Sequence, residues 1–283
     1  VHFRMHLHGP SIMRDIQAEN DLRGIALEEV GINNLTLPVS VSAESGTLIS
    51  TVAKVSIGVS VAENLRGTHM SRLVESAIIH LSDLSPCSIE ECHKEIASKL
   101  DAVDTTVRIE FDYFINKESP ISKKRSPMRY KVNLNSFKRD CTFITTVGVT
   151  VRITSLCPCS KEISDYGAHN QRGTVEIAIQ YQGPPGAKLD QDFGIMESIN
   201  IAEDCGSAPL YTLVKRSDER FITMLAFDNP AFVEDIVRNA TLRLRQNNSS
   251  AFMVSAVNDE SIHDHNAFAS FASSDWNWKY GRM

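Results

Sequence analysis

Apolar residues recur along this 283-residue chain in two periods, and the switches between them mark its elements. TLISTVAKVSIGVSV (47–61) alternates and is rich in β-branched residues, which predicts a strand, with a shorter strand expected before it around GINNLTLP. In THMSRLVESAIIHLSDL, Met70, Leu73, Val74, Ala77, Ile78 and Leu81 recur at helical spacing. SIEECHKEIASKLDAV opens on Ser88 and Glu91, the spacing of a capping box, so a second helix is expected from there. TTVRIEFDYFI and RYKVNLNSF read as two more strands around the basic loop NKESPISKKRSP.

The second half repeats this order. DCTFITTVGVTVRIT (140–154) and RGTVEIAIQYQ (172–182) alternate as strands, IMESINIAEDC reads as a helix, and AFMVSAVND (251–259) as a strand. NPAFVEDIVRNATLRLRQ (229–246) predicts a longer helix, with Pro230 in its first turn and a basic end that suits the helix dipole. Strand pair, helix pair and strands, given twice, imply an α+β chain of two similar modules, 31–136 and 137–283, after an N-terminal segment, 1–30, that reads as an arm or an edge contact.

Composition narrows the function classes. With 42% hydrophobic and 23% charged residues the chain can build a core. A net charge of -6 argues against nucleic-acid binding by general electrostatic attraction, although an anion could enter a locally basic pocket. No stretch reaches the run of about 20 apolar residues that a membrane helix needs. The start, VHFRMHLHGP, lacks the apolar centre of a secretory signal, so a cytoplasmic location is expected. There the six cysteines would be reduced, and closely spaced ones read as metal-binding or reactive.

The chemistry concentrates in SLCPCSKEISDYGAHNQR (155–172). Cys157 and Cys159 flank a proline, a ring too small for an unstrained disulfide. Zinc-like ions accept thiolate, imidazole and carboxylate, so Cys157 or Cys159 with His169 supplies two ligands and a carboxylate from elsewhere could complete a catalytic set. The competing reading is of cysteines acting as small hydrophobes. Downstream, ESIHDHNAFA (260–269) places His263 and His265 on one side of an extended segment, where they could serve as general acid or base or simply be surface imidazoles.

RGTHMSR (66–72), SLCPCSKEISDYGAHNQR, LVKRSDERF (213–221), NPAFVEDIVR (229–238) and ESIHDHNAFA stand in an order that resembles the type IB GTP cyclohydrolase family, with its archaeal relatives. The resemblance implies a bimodular tunnelling fold of two ββααββ units per chain, in a homotetramer with active sites at subunit interfaces. It implies a divalent metal ion (Zn, Mn or Fe(II)) on Cys157, His169 and Glu219, with Cys159 in contact with the substrate GTP and Glu234 holding its guanine. A carboxylate suits that role, since it can accept from the ring N–H and the exocyclic amine together. Arg66, His69, Arg72, Lys215 and Arg216 are candidates for the triphosphate. Where family members carry a glutamate five residues after the proposed ligand, this chain has Met224.

The implied reaction is hydrolytic opening of the guanine imidazole ring with loss of formate, His263 or His265 and Cys159 moving protons, to give 7,8-dihydroneopterin triphosphate or its cyclic phosphate. A nitrile reductase acting on a deazaguanine with a cysteine nucleophile and NADPH is a rival on the same fold, and it needs no metal. A non-catalytic assembly protein with a structural zinc is a rival of another class, in which metal removal would unfold the chain.

Overall fold

A computed structural model describes residues 15–17, 19–43 and 46–281. Its elements run β1 (Leu27–Ser42), β2 (Leu48–Val61), α1 (Met70–His80), β3 (Asp83–Leu84), α2 (Pro86–Leu100), β4 (Asp104–Glu118) and β5 (Arg125–Arg139). The chain continues through β6 (Thr142–Leu156), α3 (Pro158–Ile163), β7 (Asn170–Gln182), α4 (Pro185–Lys188), α5 (Ile195–Cys205) and β8 (Ala208–Pro209). It closes with α6 (Arg216–Asp228), α7 (Val233–Gln246), β9 (Phe252–Asn258) and β10 (Ala267–Ala272).

One sheet joins the strands in the order β10-β9-β7-β6-β5-β4-β2-β1-β3, with β8 paired to β6. All pairings are antiparallel except the short β1–β3 contact. The fold class is therefore α+β and dominated by its sheet. The period-two pattern explains which side the helices cover. Val55 and Ile57 of β2, Val107 and Ile109 of β4, Val149 and Val151 of β6 and Val175 and Ile177 of β7 point one way. They share a core with Leu73 and Ala77 of α1, Ile89 and Ile96 of α2, Ile199 of α5 and Ile236 of α7. The intervening Lys54, Arg108, Lys131, Arg152 and Arg172 keep their charges on the exposed opposite face.

The two halves of the chain meet along β5 and β6, paired from Lys131↔Thr150 to Arg139↔Thr142. A polar knot reinforces the junction: Lys117 of β4 reaches both carboxylate oxygens of Glu203 in α5 at 2.6 Å and the Leu210 carbonyl at 2.9 Å. The Tyr130 hydroxyl donates to the same carboxylate at 2.7 Å. Burial pulls the Lys117 ammonium below its ordinary value despite that partner, and pushes the Tyr130 phenol up.

Several boundaries differ from those expected. Helix α2 starts three residues early because Ser85, not Ser88, is its cap: the Ser85 hydroxyl accepts the Ser88 N–H at 3.1 Å and the Ser88 hydroxyl accepts the Ser85 N–H at 3.0 Å. Glu91 takes no part in that box and pairs with Lys94. Pro230 precedes α7, which begins at Val233 after Asp235 accepts the Phe232 N–H at 3.2 Å. The strand before β2 is not short, since β1 has 16 residues, with a register shift between Ile32 and Leu35. The strands β4 and β5 run through half of the basic segment and leave residues 119–124 as their loop. Residues 1–14 and 18 of the expected arm lie outside the described residues; Asn20 bridges Leu65 and β1 begins at Leu27.

Candidate active site

The register of β6 and β7 brings Cys157 and His169 together. Their ladder ends at Leu156↔Asn170, and the next step places Cys157 opposite His169, with the Cys157 N–H donating to the His169 carbonyl at 3.2 Å. Residues 158–168 are thus a closed loop containing α3. Ser160 ties it from within: its N–H donates to the Cys157 sulfur at 3.5 Å, its hydroxyl to the Cys157 carbonyl at 3.3 Å, and it accepts the His169 N–H at 3.0 Å. Both side chains are half-buried. Cys159 lies in the same helix, exposed.

Glu219 stands in the first turn of α6, exposed, one turn before Ile222. Ile222 and Leu225 pack with Leu156, Ala168, Ala208 and Ala226, so this side of α6 rests against the immediate neighbours of Cys157 and His169. At the far end of α6 the Lys161 ammonium donates to the Phe227 carbonyl at 2.5 Å. The helix start is fixed by Asp218, whose carboxylate accepts the N–H groups of Ile121 and Ser122 at 2.8 Å, the Ser122 hydroxyl at 2.6 Å and the Lys215 N–H at 2.7 Å. Burial works against its charge, yet these bonds outweigh burial and hold the carboxyl well below the usual carboxylate range. In Asp218→Ala protein the 119–124 loop should come away from α6: the amides of Ile121 and Ser122 should exchange with solvent roughly tenfold faster or more, and the melting temperature should fall. Unchanged exchange at both amides would show that the carboxylate is not what holds the loop.

Among the described residues, no three His, Cys, Asp or Glu side chains gather closely enough to hold an ion. A thiolate and an imidazole are donor types that suit such an ion, and the strand pairing sets Cys157 and His169 side by side; Glu219 stands on α6, the helix packed against their neighbours.

A cleft of about 420 Å³ opens beside Cys157. Glu234 and Phe232 line it from the start of α7, Asn258 from the end of β9, Glu260 and His265 from the segment that follows, and Phe268 from β10. Three blocks that are distant in sequence therefore meet at one opening. The segment 259–266 is bent rather than extended, and the His263 and His265 rings stack at 5.0 Å. His265 lines the cleft, whereas His263, His169, Cys159 and Glu219 do not.

The cationic candidates fall elsewhere. Arg66 pairs with Glu19 at 2.6 Å, His69 caps the start of α1 with its ring 3.3 Å from Asp15, and Arg72 donates to the Lys99 carbonyl at 2.7 Å. Lys215 and Arg216 are exposed at the start of α6. None of the five lines the cleft.

Residues that sequence reasoning passed over support the floor of the site. Gln171 and Asn258 are nearly buried beside Cys157, and Ser155 is wholly buried beneath them. Gly173 is required there, because a Cβ at that position would stand 2.8 Å from the Asn258 side-chain oxygen. The available signal was spacing: Gln171 follows His169 by two residues, the interval that puts side chains on one face of a strand.

A family model described as type I GTP cyclohydrolase folE2 matches residues 13–269. The GTP cyclohydrolase FolE2 of Dictyoglomus thermophilum is 42% identical over 259 residues, covering 91% of this chain and 96% of that protein. The GTP cyclohydrolase FolE2 of Geobacter sulfurreducens is 40% identical over 258 residues, with the same coverage of 91% and 96%. Among solved structures, a uricase from Bacillus fastidious superposes with a TM-score of 0.48 at 9% identity, over 87% of this chain and 93% of that one, too distant a likeness to bear on function. The match over nearly the whole length places this chain in the type I GTP cyclohydrolase FolE2 family.

Proposed function

We propose that the chain hydrolyses GTP, opening the imidazole ring of the guanine and releasing formate to give 7,8-dihydroneopterin triphosphate. The observation that carries this is the convergence of Cys157, Glu234 and His265 on one cleft, in a chain of the FolE2 family.

Guanine enters with its ring N–H and exocyclic amine toward Glu234, whose two oxygens accept both. Phe232 and Phe268 offer exposed ring faces on the same cleft for the planar base. Cys157, His169 and Glu219 are the residues that would hold a divalent ion, Zn, Mn or Fe(II). Such an ion, when bound, acidifies water near the base. His265, with His263 stacked on it, and Cys159 move protons as water adds at carbon 8, the bond to the ribose-bearing nitrogen breaks, and a second hydrolysis releases formate; the ribose then rearranges and the freed amine closes onto it with loss of one water, which completes the pterin ring.

The triphosphate-binding part of the site is assigned to a neighbouring copy. Arg66, His69 and Arg72 belong to the first half and do not face this cleft within one chain. A homotetramer with sites between subunits would bring a second copy's cations to the opening, with Lys215 and Arg216 at its edge. The repeated order of strand pair, helices and strand pair supports two related units, 31–136 and 137–283, of the tunnelling fold.

Purified protein incubated with GTP and each divalent ion in turn should release formate and develop pterin fluorescence. Absence of both with every ion would overturn the proposal.

A further inference from the structure

Beneath the cleft, a chain of hydrogen bonds runs from the approach to α7 through β6 to His169. The Ser155 hydroxyl lies 3.2 Å from the Ala231 carbonyl, and the Asn258 amide nitrogen lies 2.9 Å from the Ser155 oxygen. The Gln171 amide nitrogen is 3.5 Å from that same oxygen, and the Gln171 carbonyl oxygen is 2.9 Å from Nδ1 of His169. Ser155 is fully buried, and Gln171 and Asn258 are 8% and 2% exposed, so water has little access to these groups.

The order of donors follows from one end. A backbone carbonyl can only accept, and the serine hydroxyl has one proton, so that proton goes to Ala231. Any other arrangement would press two bare oxygens together at 3.2 Å. The Ser155 oxygen is thereby left to accept, and both groups that face it must present N–H. Gln171 therefore turns its NH2 to Ser155 and its carbonyl to His169. A carbonyl at 2.9 Å from Nδ1 requires a proton on that nitrogen. Neutral imidazole has one proton, so Nε2 keeps its lone pair.

We infer that Gln171 is a positioning residue: held by Ser155, it fixes His169 in the tautomer protonated on Nδ1, so that Nε2 is offered to a divalent cation. The Ser261 hydroxyl lies 3.3 Å from the same Nδ1, and with the proton on that nitrogen its oxygen accepts. The carbonyl at the head of the chain precedes Glu234 by three residues, so the residue proposed to hold the base and the residue proposed to hold the ion share one rigid scaffold. The inference rests on the reading of His169 as a metal ligand, and the test separates the two.

In the metal-free full-length chain labelled with 15N-histidine, the His169 signals, identified by their loss in His169→Gln, should report protonation at Nδ1. Co2+ affinity, read from sulfur-to-cobalt absorption against a competing chelator, should fall by about 10- to 100-fold in Gln171→Leu, as for other partners that orient a metal ligand. Gln171→Glu keeps an acceptor toward Nδ1, and Ser155 can turn its proton from the Ala231 carbonyl to the second carboxylate oxygen, so this variant should preserve the tautomer and hold affinity to within about threefold. The inference is overturned if wild-type His169 carries its proton on Nε2, or if Gln171→Leu binds Co2+ normally while His169→Ala does not. Normal binding by His169→Ala would instead remove the ligand reading, and the inference with it. The wild-type tautomer needs no Gln171 variant and decides the matter if Gln171→Leu fails to fold.

Discussion

Cys157→Ala protein should bind divalent ions far more weakly than the wild type and release formate from GTP at least about a thousandfold more slowly. The scale comes from the charge stabilisation that a bound ion supplies in hydrolysis, several kcal/mol, each 1.4 kcal/mol being about a factor of ten. The fold should survive. Cys157 is half-buried just past the end of β6, outside the apolar core, and the backbone bond to His169 that closes its loop does not involve the sulfur. Cys159→Ala should behave differently: its side chain is exposed on α3, so the variant should keep the ion and lose turnover. Ion binding by equilibrium dialysis, formate release and melting temperature distinguish the two. Wild-type formate release by both variants would remove the cysteines from the reaction.

Glu234→Gln should lower kcat/KM for GTP by about a hundred- to a thousandfold, since a charge-assisted bond is lost and an amide N–H is turned against a ring N–H. The more diagnostic result concerns specificity. Inosine triphosphate lacks the exocyclic amine, so the wild type should strongly prefer GTP, and the variant should lose much of that preference. Glu234 is exposed in the first turn of α7, beside Phe232, and makes no core contact, so its replacement should leave stability unchanged. An unaltered ratio of the two substrates would dissociate Glu234 from the base.

Strand and helix identity were legible wherever a segment carried its own period. β2, β4, β6, β7 and β9, and α1 and α5, follow alternation or helical spacing that any half-buried element must show. The segments that escaped are those whose pattern is set by distant partners. Helix α6 was not predicted, because it buries little beyond Asp218 and Ala226 and is held instead by a carboxylate clamped to the 119–124 loop, about 96 residues away in sequence. β10 escaped because it pairs on one side only, with β9, and is held there by register rather than by composition.

The same division runs through the site. Cys157, His169 and the His263/His265 pair were singled out by residue type and spacing, and Glu219 and Glu234 only through resemblance; side-chain chemistry explains why those residue types suit an ion and a purine. Gln171, Ser155 and Asn258 were not, because nothing in an amide or a hydroxyl signals which partner it will face.

By itself the sequence determined the α+β character and the identity of the chemical groups, since periodicity and side-chain chemistry are local properties. Only the tertiary structure decided that Cys157 opposes His169, that His265 rather than His263 faces the cleft, and that Asp218 and Gln171 hold the parts in place. Those facts depend on strand register and on where each buried donor finds its acceptor, and both are settled only when the whole sheet has assembled.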